Sequence, residues 1–137
     1  YGKTVSADAT GRTLGVDGRS TTYEAMLVHN RLGSPAVFWS RKMMDLAGMF
    51  DTRYRWSSEY ELWLRFWKRR EPLFLDQELG VFRHHAGNAS QSHVAALEWE
   101  CAKIRFRHAG FGGIIARARN RFAALKAYGG DPPIGRE

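Results

Sequence analysis

The stretch Trp56-Ser-Ser-Glu-Tyr-Glu-Leu-Trp-Leu-Arg-Phe-Trp67 constrains the fold more than any other part of the chain. A serine followed three residues later by a glutamate, ahead of an apolar run, has the pattern of a capping box. It predicts Ser58 as the N-cap, Glu61 as its partner and a helix beginning at Glu59. At about 100° per residue, Tyr60, Leu62, Trp63, Leu64, Phe66 and Trp67 share one broad apolar face that must be buried. Glu61, Arg65, Lys68 and Arg69 fall opposite, with Glu61 and Arg65 spaced as an i,i+4 pair. Glu59 falls on the apolar side, in the first turn. Two readings are open for it: a carboxylate that merely complements the helix dipole, or one held at the mouth of a cleft for acid–base work.

A helix with that much aromatic surface needs a core. The chain has 137 residues, 44% of them hydrophobic, with five tryptophans, enough for one folded domain or part of one. It opens on tyrosine rather than methionine, so a processed or excised piece is expected. Cys101 is the one cysteine, which excludes an intramolecular disulfide and fits a reducing compartment. No apolar run approaches the roughly 18–20 residues that span a bilayer, and no signal peptide is visible. The net charge of +7 is uneven: from Lys103 onward eight lysines and arginines face two acids. Such a tail suits phosphates, acidic lipid head groups or nucleic acid.

Around the central helix the other elements are short. Tyr1 to Thr22 is rich in Gly, Thr, Ser and Asp, with turns at Thr10-Gly11 and Asp17-Gly18. Tyr23 to Arg31 predicts a short helix, and Pro35-Ala-Val-Phe-Trp39 a buried strand. Arg41 to Ala47 predicts a helix with Met43, Met44 and Leu46 inward and Gly48 as its stop. Leu73-Phe-Leu75 and Leu79-Gly-Val-Phe-Arg83 predict two strands, the second with Val81, Arg83 and His85 on one face and Phe82 and His84 on the other. Beyond a polar loop, Val94, Leu97, Cys101 and Ile104 recur at helical spacing. After Gly110, Gly112 and Gly113 a second helix is expected, with Ile115, Ala118, Phe122 and Leu125 on an apolar stripe beside Arg117, Arg119, Arg121 and Lys126. That pattern suits either packing on the core or lying on an anionic membrane surface.

The chain has no zinc-type ligand cluster, no Gly-rich phosphate loop and no nucleophile elbow. What remains for chemistry is Glu59, the pair Arg83 and His85, and the loop bearing Asn88 and Ser90. An arginine and a histidine two apart on a strand project together and can meet a diphosphate; histidine can also ligate a divalent ion. The alternative is that Arg83 pairs with a surface acid while His85 caps a loop.

Four segments occur in an order and spacing that resemble the second half of family 2 glycosyltransferases of the GT-A fold. They are Ala36-Val-Phe-Trp-Ser-Arg41, Gly48-Met-Phe-Asp51, Ser58-Glu-Tyr-Glu-Leu-Trp-Leu-Arg65 and Phe82-Arg-His-His-Ala-Gly-Asn-Ala-Ser90, and the similarity covers roughly residues 1–100. The resemblance implies an α/β chain with a partial GT-A-like domain at 1–109; the residues beyond it add a basic amphipathic helix at 110–128 and a flexible tail at 129–137. It implies an inverting transfer of a sugar from a nucleotide-diphosphate sugar to a glycan or lipid-linked acceptor, as in cell-envelope polysaccharide assembly. A divalent metal, Mg or Mn, and a cytoplasmic location, peripheral at the inner face of the membrane, come with it.

By position, Glu59 stands where the family carries an aspartate as general base, and Ser58 replaces the glutamate before it. Arg83 and His85 match diphosphate and metal contacts, Asn88 and Ser90 continue that loop, and Trp39 and Arg41 border the acceptor side. The family's N-terminal donor-binding half, ending in an Asp-x-Asp metal motif, has no counterpart here that Asp8 or Asp17 can be matched to. The expectation is an acceptor-side half that is inactive alone. Two rivals stand beside it: a non-catalytic glycan- or protein-binding module on the same scaffold, and a nucleic-acid-binding domain. The second lacks a helix-turn-helix or RNP-type pattern.

Overall fold

The structure, a computed structural model, describes residues 1–88 and 92–110. Ser90, most of the predicted helix at 110–128 and the tail at 129–137 lie outside the described residues. The architecture is mixed α/β. A three-stranded sheet of order β2-β1-β3 is built from β1 (Lys3–Ala7), β2 (Thr13–Asp17) and β3 (Glu78–Arg83). Helices α1 (Tyr23–Val28), α2 (Arg41–Ala47), α3 (Ser58–Arg69) and α4 (residues 94–110) make up the rest, with α1 and α2 packed against α3 and the turn at Ser34–Ala36 meeting β1 and β3. Among the described residues no helix is long and apolar enough to cross a membrane.

β1 and β2 form an antiparallel hairpin whose turn is organised by one carboxylate. Asp8 Oδ1 accepts from Thr10 N at 2.9 Å, Thr10 Oγ1 at 2.6 Å and Arg12 N at 3.0 Å, the self-capping habit of aspartate in turns. Gly11 supplies the positive φ of 94°. β3 returns parallel to β1, so the sheet needs a long crossover, and residues 18–77 provide it.

α3 is the centre of the core, as its pattern requires. Leu62 and Leu64 are wholly buried, and Tyr60, Trp63 and Phe66 are nearly so; each such side chain contributes about 1.5–3 kcal/mol of transfer free energy. Met26 of α1, Met43 and Met44 of α2, and Cys101 and Ile104 of α4 close around it. α2 matches its predicted span, with Ser40 Oγ capping Met43 N at 3.2 Å and Gly48 turning the chain at φ 84°.

Several expectations are corrected. Pro35–Trp39 is not a buried strand. Ser34–Ala36 forms a 3₁₀ turn and Phe38 is 67% exposed. Pro35 has no N–H to give a ladder, and Gly80 of β3 lies so close to its carbonyl that a Cβ there would collide with it. Leu73–Leu75 forms no strand either. It makes a two-bond bridge to Tyr1, whose ring packs on Phe74 at 5.2 Å. α1 stops at Val28 because His29 turns to extended geometry. Leu46 is 55% exposed, since the stripe facing the core is Met43, Met44 and Ala47, one helical turn wide. Val94 is likewise exposed, while Leu97, Cys101 and Ile104 keep their inward places.

The capping box is not made. α3 starts one residue earlier, with Ser57 at the N-cap and no side-chain cap bond. Glu61 is taken elsewhere, and a carboxylate from α4 does the capping instead. Glu100 accepts from Arg55 N at 2.9 Å on one oxygen, and from Trp56 N at 2.7 Å and Ser57 N at 2.9 Å on the other. Ser57 Oγ donates to Leu97 O at 3.2 Å, tying the same junction to α4 a second time.

Candidate functional site

Glu59 occupies the first turn of α3, and its side chain reaches back across the crossover. Ser34 Oγ donates to Glu59 Oε2 at 2.7 Å. From Ser34 the chain runs alongside α3, and Trp39 sets its ring against Trp63 at 5.2 Å and Phe66 at 6.0 Å. Glu59 and Trp63 are one turn apart on the same face of α3. The structure therefore brings two of the sequence-predicted residues, Glu59 and Trp39, onto one stripe, with Trp39 left 41% exposed. Arg41, the first residue of α2, is exposed next to it.

A small cleft opens beside Glu59, walled by His29 and Asn30 after α1, by Trp56 and Tyr60, and by Glu98 and Arg105 of α4. About 100 Å³ of it is open to water-sized molecules, below the ~300–1,000 Å³ of pockets that enclose drug-sized ligands. Sequence reasoning missed the α4 wall. Only the helical spacing of Leu97 and Cys101 hinted that this helix faces the site. Trp56 is stacked on His93 at 4.0 Å, and the Arg55 guanidinium lies over the Trp56 ring, 4.9 Å from its centroid, which fixes the rim.

Arg83, His85 and Asn88 gather at the end of β3, away from that cleft in sequence but linked to it through packing. Gly80 presses on Pro35, next to Ser34, and Arg83 follows three residues further along β3, about 10 Å on. Alternation along β3 matches the prediction, with Val81, Arg83 and His85 outward and Phe82 and His84 half-buried with their rings 4.9 Å apart. Arg83 makes no ion pair among the described residues. Asn88 is spent on the turn: Oδ1 accepts from His85 N at 2.6 Å and Nδ2 donates to Arg83 O at 3.1 Å.

His85 Nδ1 accepts from Gly87 N at 3.1 Å. The neutral ring then carries its proton on Nε2, which makes it a donor suited to a phosphate oxygen. A metal-bound histidine has the opposite arrangement, donating from its second nitrogen while the first binds the ion. Among the described residues no group of three or more His, Cys, Asp and Glu gathers to hold a metal. Hard divalent cations need about six oxygen-rich ligands. Among the described residues, His85 and its neighbours do not fit a metal site by themselves.

The second motif segment and the third meet directly. Arg65 donates to the carbonyls of Ala47, Gly48 (3.1 Å) and Met49 (2.7 Å), neutralising the C-terminus of α2, and from Nε to Glu61 at 2.7 Å. Glu61 is 1% exposed, not on a solvated face as its place on the helix suggests. Its other oxygen faces His108 Nε2 at 3.5 Å, while Tyr23 Oη lies 3.4 Å from His108 Nδ1. Asp51 is held far below the usual carboxylate range by Arg53, which clamps both oxygens, with Arg107 of α4 adding a bond at 3.0 Å.

Burial depresses the His108 pKa below its ordinary 6.5, and Lys68 adds to that; the Glu61 charge pulls upward but is already compensated by Arg65. The unfolded ring takes a proton near 6.5 while the folded one resists it. Stability is therefore full above that pH and lost as pH falls below it. The urea midpoint is expected to be lower at about pH 5.5 than at about pH 7.5, and His108→Gln to flatten that difference. An unchanged pH slope in the variant would assign the effect to other groups.

No family model matches the chain, and neither a curated protein nor a solved structure does.

Proposed function

We propose that the chain is the acceptor-side half of an inverting glycosyltransferase, with Glu59 as general base. The observation that carries this reading is the placement of Glu59: at a cleft mouth, one oxygen oriented by Ser34 Oγ at 2.7 Å, the other without a partner among the described residues. A carboxylate fixed in that way can take the proton of an acceptor hydroxyl. As that proton leaves, the hydroxyl oxygen attacks the anomeric carbon. The bond to the diphosphate breaks with its electron pair, and a nucleoside diphosphate departs with inversion. Arg83 and the Nε2–H of His85 are the groups suited to that diphosphate. Trp39, half-open on the same face of α3, is suited to stacking against an acceptor sugar.

The reading leaves nucleotide recognition to a donor half, and the small cleft agrees with that division. The same small volume favours the rival, a binding module that holds a glycan without proton transfer. Full-length protein with acceptor and nucleotide-diphosphate sugar is expected to release nucleoside diphosphate, and the 137-residue chain alone with both is not. Steady turnover by the chain alone overturns the half-site assignment, and none by the full-length protein favours the module. Arg83→Ala is expected to weaken nucleoside diphosphate binding by roughly tenfold. Equal titrations for Arg83→Ala, His85→Ala and the unaltered protein would make the pair structural.

A further inference from the structure

α2 and the residues on either side of it leave an apolar surface facing solvent. Five of the fourteen large apolar side chains that stay exposed among the described residues fall within positions 38–50. They are Phe38, Trp39, Leu46, Met49 (72% exposed) and Phe50. Gathered in this way, such side chains mark an interaction surface, whereas scattered ones do not. The segment is pinned at two points to one turn of α3. Trp39 packs on Trp63 and Phe66, while Arg65 holds the carbonyls of Ala47, Gly48 and Met49. Met43, Met44 and Ala47 face the core, so Lys42, Asp45 and Leu46 turn outward.

The loop after α2 is held from behind. Besides the three carbonyls taken by Arg65, Gly48 N donates to Met44 O at 2.8 Å, and the Asp51 side chain is fixed by Arg53 and Arg107. The carbonyls beneath Met49 therefore keep their partners when water is removed, which is what an apolar medium demands of a backbone. The rim is cationic. Arg41, Lys42, Arg53 and Arg107 stand against Asp45 and Asp51, and Asp51 is already engaged by two of them. Arg41 and Lys42 make no ion pair among the described residues.

We infer that the surface formed by Phe38, Leu46, Met49 and Phe50 docks on an anionic lipid bilayer, with Arg41 and Lys42 at the head groups. Apolar side chains enter the boundary between head groups and acyl chains, and the cationic rim meets the lipid charge. Lysine and arginine extend along such a surface with their stems in apolar contact and their charges in water. The contact is peripheral in kind, since it uses a loop and one face of a seven-residue helix. It is distinct from the basic stripe at 115–125 that the sequence alone offers to a membrane. The inference goes beyond the proposed function and does not depend on it, because a binding module would dock in the same way. Through Trp39 the surface adjoins the stripe of α3 that bears Glu59, so an acceptor carried on the membrane would meet the base.

The test mixes the 137-residue chain at low salt with vesicles of phosphatidylcholine alone, and of phosphatidylcholine with phosphatidylglycerol. Co-sedimentation with the anionic vesicles only is the expected result. A local probe locates the contact: an environment-sensitive fluorophore on Met49→Cys, the native Cys101 being buried. Its emission is expected to rise and shift to the blue with anionic vesicles. The same fluorophore on Leu14→Cys, exposed on the edge strand β2, is expected to stay unchanged. Met49→Ser combined with Phe50→Ser is expected to weaken binding at least tenfold, and Lys42→Gln about fivefold. If the double variant fails to fold, the probe at position 49 decides alone. No binding to anionic vesicles overturns the inference and leaves the surface to a protein partner. Binding in which the probe at position 49 remains in water also overturns it, and assigns the membrane contact to the basic stripe. Because binding is read without turnover, docking combined with an active Glu59→Gln enzyme would retain this surface while removing the base assignment.

Discussion

Glu100→Ala is expected to destabilise the chain by about 3 kcal/mol, read as a lower urea midpoint at unchanged slope. The carboxylate is 8% exposed and accepts three backbone N–H bonds, from Arg55, Trp56 and Ser57. Alanine leaves all three donors unpaired at the entry to α3. Each buried orphan costs about 1–3 kcal/mol, less where water enters the space vacated. Glu100→Gln keeps one acceptor oxygen and turns an NH₂ toward the remaining N–H groups, so about half the loss is expected. A change below about 1 kcal/mol for the alanine variant would show that water replaces the carboxylate at little cost.

That contact has consequences for the cleft. Residues 55–57 lead directly into the turn that bears Glu59, and Trp56 is part of the rim. The α4 helix therefore does two things at once. Glu100 fixes the start of α3, and Arg105, nearly a turn and a half further on, furnishes the charged wall. A substitution at Glu100 that leaves the chain folded should still loosen the geometry between Glu59 and Arg105.

Much of the core was legible in the residues, because periodicity reports burial directly. The apolar face of α3 from Tyr60 to Phe66 and the span of α2 with its Ser40 cap and Gly48 stop follow from local rules. The alternation that turns Arg83 and His85 outward follows in the same way. What local rules missed depends on partners far along the chain. Glu61 looks solvated on a wheel, yet it is buried: its i,i+4 pair with Arg65 forms as the spacing predicts, while α4 adds His108, a partner that no local rule announces. The capping box of Ser58 and Glu61 is a correct local pattern that loses to Glu100, more than forty residues away. Pro35–Trp39 has strand-like composition, but a proline at a site pressed by Gly80 closes a 3₁₀ turn instead. The site divides the same way. Glu59 stood out as a carboxylate on an apolar face, while Ser34 and Arg105, which give it an orientation and a charged neighbour, carried no signal of their own.

Glu59→Gln in the full-length protein is expected to lower kcat by roughly 10²–10⁴-fold with donor binding little changed. The amide preserves shape and still accepts from Ser34 Oγ through its carbonyl, but it cannot take a proton. Folding is expected to be untouched, within about 0.5 kcal/mol, because Glu59 is exposed and its one bond is retained. Two further variants separate proton transfer from positioning. Glu59→Asp shortens the side chain by one methylene to the residue type that the resemblance leads one to expect, so it should keep part of the activity. Ser34→Ala removes the hydroxyl that aims Oε2 at 2.7 Å and should cost less than the amide, since the base survives with a freer rotamer. An active Gln variant would return Glu59 to the role of an N-terminal carboxylate complementing the α3 dipole. An inactive Gln variant beside a partly active Asp variant is the pattern that only a proton acceptor produces.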